Sequence, residues 1–251
     1  METNDNKASI ACQSDIGKRR KNNEDAAFCG RSQYASLLLI CDGIGGHRKG
    51  EVASSMIIDS IAIPFNSLHH RLSVFGGKHF ARSHLKKVNH RIYKMSISSD
   101  EFKEMGSTAV GALVLKDTTY VFSVGDSRCY SYSPEKGLVH ETVDQTYVQF
   151  LVDTGRITKS QSQNHPQKNL LLNAVGINQE LSDVEEKLLD NNSYSTLLLC
   201  SDGLYNMVSD KDIEKVLQDK SLDTKGKAKK LIDLALEAGG NDNIAVSLLE
   251  K

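Results

Sequence analysis

The sequence predicts an α+β fold in which antiparallel β-sheets pack against helices. Short apolar or β-branched runs bounded by glycine or aspartate predict strands at 36–41, 108–115, 119–125, 196–200 and 243–249. Segments with helical spacing or helix-end signals lie at 50–65, 79–97, 210–219 and 225–240. Helix pairs interrupt the strand runs without the regular strand–helix alternation of a doubly wound parallel sheet, which favours antiparallel sheets.

Local signals support each predicted helix. The first has apolar residues at i, i+3 and i+4 over 50–65, and we expect it to end at Pro64. The second, 79–97, is amphipathic and is followed by a polar break. The last ends at Gly239 and Gly240, a pair typical of a helix C-terminus.

Composition excludes several classes of protein. The 251 residues are 39% hydrophobic and 25% charged, and no linker or Pro-rich hinge divides them, so we expect one domain over residues 1–251. A net charge of −1 gives little support for nucleic-acid binding. The sequence has neither a membrane-length apolar segment nor a secretory signal. Five cysteines without a CxxC pair favour reduced thiols, so we expect a cytoplasmic protein that binds neither nucleic acid nor membrane.

Aspartates mark the ends of the predicted strands. The runs LLLICDG (37–43) and LLLCSDG (197–203) are near repeats in which a buried strand leads to Asp42 or Asp202. Asp126 follows a third predicted strand, and Asp242 precedes the last one. Because neighbouring strands lie about 4.8 Å apart, acids at one sheet edge come close together.

Two interpretations of these aspartates are open. Each Asp-Gly can simply form a turn, because that pair is common turn chemistry. Four clustered carboxylates repel one another unless a cation compensates, and this favours a metal site. Carboxylates with a backbone carbonyl suit Mg²⁺ or Mn²⁺, and two such ions can activate water for displacement at phosphorus.

The segment GKRRKNNEDAAF (17–28) supplies a partner for phosphate. Arg20 lies four residues before Glu24 and five before Asp25, two acids that could complete a metal site. A guanidinium binds phosphate oxygens through two parallel hydrogen bonds, which a lysine cannot match. A basic run can also be an ordinary solvated surface. Together with the acids, however, it fits hydrolysis of a phosphate ester.

The motifs, in order, resemble the metal-dependent serine/threonine phosphatases of type 2C, in the form of the bacterial stand-alone catalytic domain. The resemblance runs from about Ser14 to Glu250. It rests on RKNNEDA (20–26), DGIGGH (42–47), GSTAVGALV (106–114), VGDSRCY (124–130), DQTYVQFLVDTGRIT (144–158), HPQKNLLLNAVG (165–176), CSDGLYNMVSD (200–210) and GGNDNIAV (239–246). It implies a four-layer α-β-β-α sandwich, two antiparallel sheets flanked by helices, with the site at one end and a flap segment at about 145–170.

The resemblance also implies roles for individual residues. Asp42 would bridge two Mg²⁺ or Mn²⁺ ions, and the Gly43 carbonyl would bind one of them. The remaining implied metal positions are Glu24, Asp25, Asp126, Asp202 and Asp242, with Asp126 and Asp202 matching a possible third ion. Arg20 would hold the substrate phosphate while a water bridging the ions attacks phosphorus directly. Implied partners are phosphoproteins carrying phosphoserine or phosphothreonine and an opposing Ser/Thr kinase, with the chain acting as a monomer.

Three departures from the family pattern bear on proton donation or on substrate handling. Animal members carry a proposed general-acid histidine at the position of Ile44, which cannot donate a proton, and His47 is the nearest histidine. Asp144-Gln145 stands where the family usually has an Asp-His pair, and Lys168 stands where it usually has an arginine. These two lie in or beside the flap segment, which favours altered substrate handling over lost chemistry.

Two other functions are compatible with the same motifs. The chain could bind phosphorylated partners through Arg20 without turnover, or it could hydrolyse small phosphomonoesters. Every metal-ligand position of the family is filled, which disfavours the first. The lack of a deep lid-like insertion weighs against the second.

Overall fold

The computed structural model describes residues 8–45 and 49–251. The strands are β1 Ser9–Asp15, β2 Asp25–Arg31, β3 Ser36–Ile44, β4 Gly106–Ser107, β5 Ala109–Val114, β6 Thr118–Val124, β7 Arg128–Ser133, β8 Gly137–His140, β9 Glu185–Asp190, β10 Thr196–Cys200 and β11 Ile244–Glu250. The helices are α1 Lys49–Asn66, α2 Val74–Ser98, α3 Tyr147–Asp153, α4 Lys159–Ser162, α5 Asp202–Tyr205, α6 Asp210–Gln218 and α7 Thr224–Glu237.

The strands form two antiparallel sheets. The first has the order β1-β11-β10-β7-β8, and the second has the order β2-β3-β5-β6-β9 with β4 paired to β3. Non-consecutive neighbours such as β10 and β7 show that the chain passes from one sheet to the other and back. Both near-repeat strands, β3 and β10, therefore lie inside their sheets.

Side-chain alternation along β3 explains the layering. Leu37, Leu39 and Cys41 face a core shared with α1 and α2, whereas Leu38 and Ile40 face the other sheet. A third core joins the outer face of the first sheet to helices α5, α6 and α7. The molecule is thus an α-β-β-α sandwich, and the fold prediction is confirmed.

The five predicted strands are confirmed as β3, β5, β6, β10 and β11. Sequence reasoning missed β1, β2, β7, β8 and β9, because their side chains are polar, small or half-exposed and form no apolar run. It also ended the strand before Asp42, whereas β3 continues through Asp42 to Ile44. The reason is pairing on both sides: Asp42 is opposite Asp25 of β2, and Gly43 is opposite Ser107 of β4.

The four predicted helices are confirmed with shifted ends. Helix α2 starts at Val74, five residues before the predicted start, because Ser73 caps it by accepting a hydrogen bond from the Gly76 N–H. Pro64 lies inside the last turn of α1, not at its end. The flap segment contains the short helices α3 and α4. No helix in the described ranges is long and apolar enough to cross a membrane.

Candidate active site

Predicted site residues from both sheets lie at one end of the sandwich. The second sheet contributes Glu24, Asp25, Asp42, Gly43 and Asp126, and the first contributes Asp202 and Asp242. Asp25, Asp126, Asp202 and Asp242 all act electrostatically on the Asp42 carboxyl. The structure therefore brings all four predicted strand-end aspartates together with Asp25.

Asp42 is held through its backbone. Its N–H donates to the Thr108 hydroxyl over 3.0 Å, and its carbonyl accepts from the Thr108 N–H and the Ser107 hydroxyl at 2.8 and 2.9 Å. The Thr108 hydroxyl is itself 2.7 Å from that of Ser127. With the backbone fixed on both sides, the carboxylate projects from a rigid strand, as a metal-bridging residue requires.

Ser201 connects the two sheets at the site. Its hydroxyl donates to an oxygen of the buried Asp25 carboxyl at 2.6 Å and accepts from the Ala245 N–H at 2.9 Å. The next residue, Asp202, starts α5 and accepts a hydrogen bond from the Asn206 amide at 3.0 Å. Ser201 thus fixes an acid of the second sheet relative to an acid of the first.

The clustered acids resist ionisation. Burial, reinforced by the neighbouring carboxylates, raises the pKa of Asp25 to about 8, that of Asp126 to about 7 and that of Asp202 to about 6. The pKa of Asp42 is raised well above its ordinary value by the same burial and by four surrounding acids. Such a group of carboxylates gains most from a cation that neutralises it.

Glu24 and Gly43 approach each other over Gly50, at the start of α1. A Cβ on Gly50 would lie 2.7 Å from a Glu24 carboxylate oxygen and 2.8 Å from the Gly43 carbonyl oxygen. Any residue larger than glycine at position 50 would therefore collide with both predicted ligands. The Glu24 carbonyl accepts from the Gly43 N–H and the Ser54 hydroxyl at 3.1 and 2.7 Å, which fixes this corner.

Arg20 is paired with a predicted metal ligand. Its guanidinium donates to the Asp242 carboxylate at 2.7 Å, and its side chain is 49% exposed. The loop beneath it is anchored by Asn243, whose amide donates to the Ile16 and Asn22 carbonyls, each over 2.9 Å. The arginine thus lies beside the acids with its guanidinium partly open to solvent.

A second group of residues supports Asp126, and sequence reasoning missed it. The Tyr205 hydroxyl donates to the Asp126 carbonyl at 3.0 Å, and the Arg128 guanidinium lies over the Tyr205 ring, 3.6 Å from its centroid. Arg128 also forms a bidentate pair with Asp144. Arg128 and Asp144 are identified because both charged side chains are buried next to the site, and only the structure reveals this burial.

Gln145, which replaces the family histidine, holds the flap segment. Its side-chain oxygen accepts from the Gly125 N–H and the Asn173 amide, each over 2.9 Å, and its NH₂ donates to the Asp183 carbonyl at 2.7 Å. Lys168 is exposed. Ile44 is opposite Gly106 at the end of β3, and His47 lies outside the described residues.

The donor set fits a hard divalent cation in its chemistry, because it consists of carboxylates and one backbone carbonyl. The Asp25, Asp126, Asp202 and Asp242 carboxylates lie close enough to raise the pKa of Asp42, and the glycine at position 50 leaves space beside two of the donors. Within residues 8–45 and 49–251, no three His, Cys, Asp or Glu side chains already surround a single point as metal ligands would. A metal ion at this site would therefore require the side chains to adjust on the fixed backbone.

Comparison with known proteins agrees with this geometry. The family model of protein phosphatase 2C matches residues 15–235. The chain is 34% identical over 240 residues to the serine/threonine phosphatase stp of Listeria welshimeri, covering 95% of this chain and 94% of the relative. It is 36% identical to PstP of Mycobacterium tuberculosis, covering 94% of this chain and 43% of that longer protein.

Solved structures show the same fold. The Staphylococcus aureus serine/threonine phosphatase Stp1 superposes with a TM-score of 0.90 at 31% identity, covering 97% of this chain and 95% of that one. The Mycobacterium tuberculosis phosphatase PstP gives a TM-score of 0.83 at 32% identity, with coverages of 97% and 98%. With motifs, sandwich and clustered acids all in agreement, the chain belongs to the protein phosphatase 2C family.

Proposed function

We propose that this chain hydrolyses phosphoserine and phosphothreonine in proteins, and that the acid-lined end of its sandwich is the catalytic site. One observation carries the proposal: the buried Asp42 of one sheet lies close enough to Asp202 and Asp242 of the other, and to Asp25 and Asp126, for all four to raise its pKa. Burying that many carboxylates together is costly without a compensating cation. Metal dependence is a property of the family, and the named relatives are serine/threonine phosphatases.

We assign each of these residues a role in metal binding. We assign Asp42 as the bridging ligand, with the Gly43 carbonyl beside it, because three hydrogen bonds to Ser107 and Thr108 fix its backbone. The other proposed metal residues are Glu24, Asp25, Asp126, Asp202 and Asp242. We propose two Mg²⁺ or Mn²⁺ ions and a possible third; when bound, they would activate water and neutralise phosphate charge.

Arg20 positions the substrate in this proposal. Its pair with Asp242 is half-exposed and therefore weak, so a phosphate dianion can displace the carboxylate from the guanidinium. Release of Asp242 then frees that acid for metal. One exchange would thus couple substrate binding to completion of the site. Ile44 contributes no proton to the leaving group, since its side chain has no ionisable atom.

The remaining proposals concern context. Phosphoproteins follow as substrates from the family, and a Ser/Thr kinase that phosphorylates the same proteins is the proposed partner. We further propose that the chain acts as a monomeric single domain, residues 1–251, in the cytoplasm. The flap at about 145–170 would contact the protein part of the substrate, since Gln145 ties it to Gly125, next to Asp126.

Turnover of matched phosphopeptides tests the function. Phosphoserine, phosphothreonine and phosphotyrosine versions of one peptide, and a small phosphomonoester, are assayed with manganese and with chelator. We expect manganese-dependent release of phosphate, with kcat/KM highest for phosphoserine or phosphothreonine. Binding without turnover would identify a recognition module, and a higher kcat/KM for the small ester would identify a metabolite phosphatase.

A further inference from the structure

Two cysteines face each other at the open edge of the sandwich. Cys12 is in β1, the edge strand of the first sheet, and Cys29 is in β2, the edge strand of the second. All five cysteines are free thiols, and Cys41, Cys129 and Cys200 are buried in the cores. Cys12 is exposed and Cys29 is half-buried, so this pair alone among the five thiols combines a solvent-accessible sulfur with a neighbouring one.

Strand alternation places both side chains on inner faces. Ile10 in β1 and Ala27 in β2 pack against the core between the sheets, and Cys12 and Cys29 each lie two residues further along the same strands. Cys29 itself packs against that inter-sheet core. The two thiols therefore point toward one another across the gap.

Hydrogen bonding fixes the alignment independently. Cys12 is opposite Ser247 of β11 in the first sheet, and the Ser247 hydroxyl donates to the carbonyl of Phe28, the residue before Cys29, at 3.3 Å. The two sulfurs also lie close enough to shift each other's pKa values.

We propose that Cys12 and Cys29 form a reversible intramolecular disulfide that joins the edge strands of the two sheets when a hydroperoxide oxidises them. The bond would close residues 12–29 into a loop containing Arg20, Glu24 and Asp25. The proposal is independent of the phosphatase assignment, because neither sulfur belongs to the acid cluster.

The local environment favours Cys12 as the attacking sulfur. The hydrogen bond from Cys29 lowers the pKa of Cys12 to about 7 against the opposing effect of burial, so a substantial fraction is thiolate at neutral pH. The pKa of Cys29 is raised by the same contact and by burial. Cys12 is therefore the peroxide-reactive thiol, and Cys29 is the resolving one.

The chemistry balances in two steps. The Cys12 thiolate attacks one oxygen of the hydroperoxide, the O–O bond breaks, and Cys12 becomes a sulfenic acid as water or alcohol leaves. The Cys29 sulfur then displaces the sulfenic hydroxyl, which leaves as water with the Cys29 proton, and the S–S bond forms. Two thiols lose two electrons and two protons, and the peroxide bond takes up both electrons.

Peptide mass mapping tests the proposal on the full chain. The native protein is treated with a small molar excess of hydrogen peroxide, alkylated, and digested with trypsin without reductant. We expect residues 8–18 linked to residues 22–31, with two of the five thiols lost and recovered by dithiothreitol. Cys41, Cys129 and Cys200 serve as internal controls and should remain alkylatable after unfolding.

Single substitutions complete the test. Cys12→Ser, at an exposed position that tolerates serine, should abolish both the linked peptide and the thiol loss. In Cys29→Ser, Cys12 should instead accumulate as sulfenic acid, detectable with dimedone. The proposal is overturned if peroxide leaves wild-type Cys29 free while Cys12 is over-oxidised, or if Cys12 links two chains instead.

Discussion

The near-repeat segments 37–43 and 197–203 have nearly the same sequence, but their backbones differ after the apolar run. In the first, β3 continues through Asp42 to Ile44, with β2 on one side and β4 and β5 on the other. In the second, β10 stops at Cys200, and Asp202 is the first residue of α5. The same Asp-Gly pair thus occupies an extended strand in one sheet and a helix start in the other.

The residue before the aspartate also differs between the two segments. The first segment has Cys41, a buried core residue, before its aspartate, and the second has Ser201. Ser201 precedes α5 but makes no capping hydrogen bond, because its hydroxyl is engaged by Asp25 and by the Ala245 N–H. Ser201 thus uses its hydroxyl between the sheets, whereas β3 continues past Cys41 because Asp42 and Gly43 are paired with β2 and β4.

The largest expected effect is the loss of activity on substitution of Asp42, compared with the smaller loss on substitution of Asp202. Asp42→Asn should lower manganese-dependent kcat by on the order of 10³-fold, because Asp42 lies among all four other aspartates of the site. Asp202→Asn should lower it less, by about 10–100-fold at saturating manganese, the scale of a weakened metal site. Steady-state kinetics measures both, and circular dichroism checks that the fold is intact. Equal losses would show that the two acids have equivalent roles.

Alanine substitutions at the two glycines test the backbone difference. A Cβ at position 43 would lie 2.3 Å from the Gly50 backbone, and one at position 203 would lie 1.9 Å from the Asn243 carbonyl oxygen. Gly43→Ala and Gly203→Ala should each lower the free energy of unfolding by about 1–3 kcal/mol or more. Only Gly43→Ala should also weaken manganese affinity beyond that loss, because it displaces a proposed ligand carbonyl.

Helix α2 supplies the control for these glycines. A Cβ at Gly76 would be 3.4 Å from the nearest atom, an ordinary contact, so Gly76→Ala should leave stability unchanged or raise it by up to about 1 kcal/mol. Chemical denaturation of the three variants measures the contrast. If all three variants unfold like the wild type, the predicted collisions are not present.

The hydroxyls that support each aspartate should give a smaller effect. Ser201→Ala leaves the Ala245 N–H and an Asp25 oxygen without their partner, and Thr108→Val does the same to the Asp42 N–H and the Ser127 hydroxyl. Each should lower the free energy of unfolding by about 1–3 kcal/mol, as loss of a buried hydrogen-bond partner does. Ser201→Ala should also speed amide exchange at Ala245, whose N–H loses its acceptor, and Thr108→Val should do so at Asp42. Unchanged exchange at both positions would show that these hydroxyls do not hold the two N–H groups.

Arg20 should have the smallest effect on stability. Its pair with Asp242 is largely exposed, so Arg20→Ala should change the free energy of unfolding by no more than about 1 kcal/mol. The KM for a phosphothreonine peptide should nevertheless rise if, as proposed, the guanidinium positions phosphate. Arg20→Lys should recover only part of that loss, since an ammonium cannot form the two parallel bonds. A normal KM in Arg20→Ala would remove Arg20 from the site.

The sequence predicted the central part of this fold well. Strands β3, β5, β6, β10 and β11 are apolar because they are buried between the layers. A buried strand can be predicted from its apolar composition alone. The missed strands are partly polar or exposed, and β9 reads EEKLLD because it is the edge of its sheet. Their pairing depends on partners distant in the chain, which single-sequence periodicity does not report.

In the candidate site, too, some residues could be predicted from the sequence and others could not. Asp42, Asp126, Asp202 and Asp242 could be predicted because each adjoins a recognisable strand. Arg128 and Ser201 could not, because their importance arises from contacts with Asp144 and Asp25 that the fold creates. The proposed exchange of Asp242 between Arg20 and metal also depends on proximity across more than two hundred residues of chain.

The central claim is that acids from both sheets form one metal-dependent catalytic site, and metal removal and return tests it most directly. The protein is stripped with chelator, and phosphate release from a phosphothreonine peptide is followed together with Tm as manganese is added, for wild type and Asp42→Asn. We predict that stripped wild type is inactive, and that manganese restores turnover and raises Tm by several degrees as buried carboxylates are neutralised. Asp42→Asn should show neither response. Full turnover of the stripped wild type, or full manganese-dependent activity in Asp42→Asn, would contradict the account.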